Sequence, residues 1–160
     1  MTEKELFTEH AKNYLLCYNN QCEKHEQCLR WILKDYVPKE QASVTAVNPL
    51  YTDKSGCRLF QSSEKRKMAV GMTKFYDEMP RKKGQSIRDT LERHFGHTMY
   101  YLYRNGERPI TPDMQEYIKK VCIRNGWNEE PVYDGFTEEY EWGFGRFSCI
   151  YNSTKQRYTH

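Results

Sequence analysis

Apolar residues recur at helical steps through the second half of the chain. Met68, Met72, Phe75 and Met79 are spaced for one face of a helix over residues 62–79, with Ser62 or Ser63 as its cap and Pro80 as its stop. A further helix is predicted from Ser86, with Asp89 in its first turn and Ile87, Leu91 and Phe95 on one face, broken at Gly96. A short helix over residues 98–104 follows, burying Met99, Leu102 and Tyr103 and stopping at Asn105-Gly106. Thr111-Pro112 then supplies an N-cap and a first-turn proline to a helix that presents Met114, Tyr117, Ile118, Val121 and Cys122 on one side and ends at Asn125-Gly126.

The N-terminal part is less regular. Residues 6–16 read as a short helix and residues 28–36 as a second, closed by Val37-Pro38 because the residue before proline avoids helical geometry. Residues 42–60 read as a loop or short strand pair that carries Cys57 back toward the cysteines before it. Beyond Trp127 an acidic, aromatic tail through Trp142, Phe144 and Phe147 is expected to wrap the helices, with a short strand at residues 146–151. No repeat or flexible linker separates the parts, so a cysteine-rich module over residues 1–60 and a helical domain over residues 61–160 are expected to pack as one unit.

The cysteines give that module its chemistry. Cys17, Cys22 and Cys28 fall in a stretch otherwise as polar as Tyr18-Asn19-Asn20-Gln21, which is poor material for an apolar core. Closely spaced thiols bring several soft donors together at low loop-closure cost, and a closed structural site needs four. Cys57 is the expected fourth ligand, with His25 competing from inside the loop. Tetrahedral zinc is the leading metal, and an iron–sulfur cluster would use the same ligands. Cys122 and Cys149 stand among apolar neighbours and are expected in the core.

Composition adds a compartment and a surface. No apolar run reaches membrane-span length and the opening Met-Thr-Glu-Lys-Glu lacks signal-peptide character, so a cytoplasmic protein is expected, where cysteines stay reduced. The 13 tyrosines among only 38% apolar residues imply a core rich in rings with polar tips. The net charge of +3 is small but uneven: Lys and Arg crowd residues 65–93, whereas residues 129–141 are acidic.

Residues 95–108, Phe-Gly-His-Thr-Met-Tyr-Tyr-Leu-Tyr-Arg-Asn-Gly-Glu-Arg, resemble the turn and recognition-helix end of phage-repressor-like regulators. That resemblance implies a helix-turn-helix over residues 86–126, with His97, Tyr100, Tyr101 and Arg104 facing outward to bases and Arg88, Arg93 and Arg108 available to phosphates. The whole chain resembles a family of small cysteine-containing bacterial proteins of unknown function from gut anaerobes, through Cys17-Tyr18-Asn19-Asn20-Gln21-Cys22 with Cys28-Leu29-Arg30, Val47-Asn48-Pro49 before Cys57, and Tyr101 to Pro109.

The expected architecture is therefore mainly α, with few short strands and a small metal-binding N-terminal module packed on a helical body. The expected function is a zinc-stabilised nucleic-acid-binding or transcription-regulatory protein acting on duplex DNA. A non-enzymatic adaptor for a partner protein and an iron–sulfur sensor are the alternatives. Neither a catalytic constellation nor a phosphate-cradling glycine loop is evident, and no small-molecule substrate suggests itself.

Overall fold

The structure, a computed structural model, describes residues 1–51 and 57–142. Among these residues it holds five α-helices and one two-stranded sheet, and the chain divides into two units. Unit 1 contains residues 1–64 and the segment from Tyr140, and unit 2 contains Lys65–Glu139. The expected strand at residues 146–151, and Cys149 with it, lies outside the described residues.

Unit 1 begins with α1 (Glu3–Ala11). Its start is set by a capping box: the Thr2 hydroxyl accepts from the Glu5 amide and the Glu5 carboxylate accepts from the Thr2 amide. The helix therefore begins and ends earlier than the apolar pattern suggests. Past it, Leu16 leaves helical geometry to form a parallel bridge with Ala46. A short helix α2 (Leu29–Ile32) continues as one 3-10 turn, Leu33–Tyr36, before Val37-Pro38. Phe7, Ala11, Tyr14, Leu16, Leu29 and Leu33 form the core of this unit together with Tyr140 and Trp142.

Unit 2 opens with a strand, β1 (Lys65–Val70), where the methionine spacing predicts a helix. The correction has a local and a distant cause. Locally, Gly71 takes φ +75, a conformation that ends regular structure at once. At a distance, β1 pairs with β2 (Gly135–Tyr140), and the Asp134 amide donates to the Gly71 carbonyl at 3.1 Å where β1 ends and β2 begins. Ala69 also exchanges two backbone hydrogen bonds with Ile110.

Three helices follow: α3 (Arg81–Phe95), α4 (His97–Arg104) and α5 (Pro112–Arg124). The Thr111 cap and the proline at the start of α5 are as predicted, and α3 starts five residues before Ser86, directly after Pro80. Ile87, Leu91, Tyr100, Ile118, Val121 and Cys122 are its buried centre. Burial pushes the Cys122 thiol up to about 11, so this cysteine packs as a small apolar side chain.

Gly71 gives a direct test of the strand end. An alanine there would hold a strained φ and press its Cβ into the Asp134 carboxylate, which accepts from the Thr73 amide and hydroxyl. Gly71→Ala is expected to lower unfolding stability by about 2–3 kcal/mol in urea titration. Gly71→Ala made in an Asp134→Ala background, where the opposing carboxylate is gone, is expected to cost less; equal losses would refute the packing argument.

The mainly helical class with a metal-binding module is thus corrected in two respects. The chain is only loosely α-rich, because a sheet forms in unit 2. Among the described residues, no group of three or more His, Cys, Asp or Glu is placed to hold a metal ion, and the buried core of unit 1 is built from aromatic and aliphatic side chains. No helix among them is long and apolar enough to cross a membrane.

Candidate functional site

A cavity of about 810 Å³ in unit 1 is lined by Cys17, Cys22 and Cys57. Three chain segments, residues 17–24, 46–51 and 57–60, make its walls. On one side Leu16 is pinned by donating its amide to the Thr45 carbonyl at 2.9 Å and accepting the Val47 amide at 2.8 Å, which sets Cys17 beside Ala46 and Val47. The Asn48-Pro49 turn, closed by the Tyr51 amide on the Asn48 carbonyl and the Leu50 amide on the Asn48 side chain, brings Tyr51 to the same rim. On the other side the Phe60 amide donates to the Cys57 carbonyl, and Lys24 stands over the Phe60 ring at 5.4 Å.

Both walls hang on Arg30, which is 92% buried by a relative exposure of 8%. Its Nε donates to the Leu59 carbonyl at 2.6 Å and its Nη1 to the Leu15 carbonyl at 3.0 Å, while its own carbonyl accepts the Cys17 amide at 2.9 Å. The guanidinium also lies over the Tyr14 ring at 5.1 Å. Carbonyl dipoles and a ring face thereby replace the water that the buried charge has lost. Sequence reasoning passed over Arg30 because a basic residue in a short helix reads as a solvated side chain; its position between two cysteine segments was the available signal.

The remaining expected ligands are placed elsewhere. Cys28 is buried at the N-terminus of α2, its backbone in an antiparallel bridge with Ser62, and it does not line the cavity. His25 donates from Nδ1 to the Cys22 carbonyl and packs edge-on against Trp31 at 4.7 Å. Cys17, Cys22 and Cys57 thus line a roomy cavity, and among the described residues they are not gathered closely enough to hold a metal as they stand. The cavity's volume is that of a small-molecule site, and its walls combine Val47, Pro49, Tyr51 and Phe60 with two cations, Lys24 and Arg58, the carboxylate of Glu23 and two amides, Asn19 and Asn48.

The expected nucleic-acid residues in unit 2 divide. Arg93 and His97 are exposed, and His97 is paired with Glu92. Tyr101, Arg88, Arg104 and Arg108 are half-buried. Tyr100, expected to face outward from α4, is completely buried, and its hydroxyl is hydrogen-bonded to that of Tyr76 at 2.8 Å. It is a core residue: a ring beside α3 gains more from burial than from water.

No curated protein and no solved structure matches the chain. A family model, that of a family of unknown function, matches residues 1–142 and so spans the described parts of both units.

Proposed function

The chain belongs to that family, DUF6078, and because membership carries no activity we propose, from the cavity itself, a regulatory ligand-binding protein whose unit 1 receives a small, largely apolar molecule beside three thiols. The observation that supports this reading is the convergence of Cys17, Cys22 and Cys57 on one cavity of about 810 Å³ with apolar walls. Pockets of roughly 300–1,000 Å³ lined by apolar and aromatic groups with a few polar ones are the usual form of a small-molecule site. The thiols and Lys24 would contact the polar end of such a ligand, and Tyr51 and Phe60 its body.

The test uses the full chain and 1-anilinonaphthalene-8-sulfonate, an apolar probe with one anionic group. Stoichiometric binding that slows labelling of Cys17 and Cys22 by N-ethylmaleimide, and that disappears in Val47→Trp with the circular dichroism spectrum intact, is the expected result. Equal binding by Val47→Trp would refute the assignment. So would one full equivalent of zinc in the purified protein that Cys17→Ser loses, since the thiols would then serve a metal. Duplex DNA binding that is unaffected by filling the cavity would place the function elsewhere.

A further inference from the structure

Unit 2 contains two arginines that no described group neutralises. Arg88 on α3 and Arg104 at the end of α4 are both half-buried, and the Nε atom of each is buried without a hydrogen-bond partner. Among the described residues neither guanidinium forms an ion pair. The carboxylates of α3 are committed to other groups: Asp89 accepts from the Gln85 side chain at 2.8 Å, and Glu92 is paired with His97. Arg88 is instead held over the Tyr76 ring at 5.0 Å.

The hydroxyls nearby are donors as well. Tyr76 and Tyr100 share one hydrogen bond, so one of the two O–H groups retains a proton to give outward. Arg104 stands one helical turn after Tyr100 on α4, on the same face, so it joins the cluster that Arg88 and Tyr76 form. Burial raises both phenols above their ordinary titration range. These phenols stay neutral and cannot serve as counter-ions. The cluster therefore holds two cations and a spare O–H donor, and neither cation is paired with a carboxylate among the described residues.

Partly buried charge without a partner is costly, and an anion from outside would offset that cost for both cations at once. We propose that Arg88, Arg104 and the Tyr76–Tyr100 hydroxyl pair bind a small dianionic oxyanion of the phosphate class, either free phosphate or the phosphate of a small phosphomonoester. The planar fork of a guanidinium suits tetrahedral phosphate, whose several oxygens accept from both arginines and the hydroxyl at once. The shielding of both Nε atoms favours a compact ion over the rigid backbone of a duplex. This site stands on unit 2 alone and does not depend on the cavity of unit 1.

The experiment is thermal unfolding and titration calorimetry of the full chain with inorganic phosphate, against chloride at equal ionic strength. Phosphate is expected to raise the melting temperature of the wild type by mass action. In Arg88→Gln and Arg104→Gln it is expected to bind at least about tenfold more weakly, as loss of a charge-assisted hydrogen bond implies. Without phosphate either variant should be as stable as the wild type or more so, because an uncompensated charge has gone; Arg104→Lys, which keeps the charge and loses the fork, should bind with intermediate strength. A phosphomonoester such as glycerol phosphate binding more tightly than free phosphate would identify the ester as the ligand. Phosphate that stabilises wild type and both glutamine variants equally overturns the site. It is also overturned by salt-dependent duplex DNA binding that Arg104→Gln abolishes while phosphate has no effect.

Discussion

Trp142→Ala is expected to lower the unfolding free energy of unit 1 by about 3–5 kcal/mol, the range for losing a large ring from a core that relaxes only partly. The indole is 6% exposed and lies at the centre of a ring cluster. His10 stacks on it at 3.6 Å with the planes 8° apart, and Phe7 and Tyr14 meet it edge-on at 6.2 and 6.1 Å. Tyr140 adds a tilted contact at 5.4 Å, and the Tyr14 hydroxyl donates to the Trp142 carbonyl at 3.1 Å. That backbone bond survives the substitution, so the loss reports the missing ring. Urea titration followed by circular dichroism measures it, and a loss under about 1 kcal/mol would show that the cluster is not the core of the unit. Trp142→Phe should recover part of the deficit.

The stack also makes unit 1 sensitive to acid. Burial lowers the His10 ring from 6.5 to about 4, opposed only weakly by the charge of Glu9. Above 6.5 the ring is neutral whether folded or unfolded and contributes no pH dependence. As pH falls from 6.5 toward 4 the unfolded chain takes up the proton first, so stability declines across that window and levels off below it. The full difference amounts to about 3 kcal/mol at the low end. Comparing wild type with His10→Phe at neutral pH and near pH 4.5 isolates this contribution from that of the carboxylates. If both proteins lose the same stability between the two conditions, His10 is not the responsible group.

The helical half of unit 2 was legible because its punctuation is local. Thr111 and Pro112 fix the start of α5, and the Asn-Gly pairs after Arg104 and Arg124 fix two helix ends, all within a few residues of the positions they control. The helix expected over residues 62–79 fails for the opposite reason. Their methionine spacing fits a helix, but the strand is stabilised by residues 135–140, a partner that a local period cannot register. The acidic segment carrying that partner strand offers mainly charge and rings, which suggest a tail wrapping the helices and not a strand at residues 135–140.

The site was legible only as a set of residues. Cys57 lines the same cavity as Cys17 and Cys22, although their sulfurs do not form a ligand set with Cys28 or His25. Sequence proximity placed Cys28 with its neighbours, whereas the start of α2 turns it into the interior of the unit. Tyr100 shows the same limit from the other side: a helix of eight residues between two others leaves few faces in water, and an aromatic pair at 100 and 101 does not say which ring is inside.

One guanidinium beneath two walls has a kinetic consequence. The Leu15 and Leu59 carbonyls share the Arg30 cation, so swinging either segment outward strips a charged donor of a partner where water is scarce. Independent excursions of one wall are therefore expected to be suppressed, and opening of the cavity is expected to release both segments together. A molecule enclosed there would leave at the tempo of that opening and not at the tempo of its own diffusion.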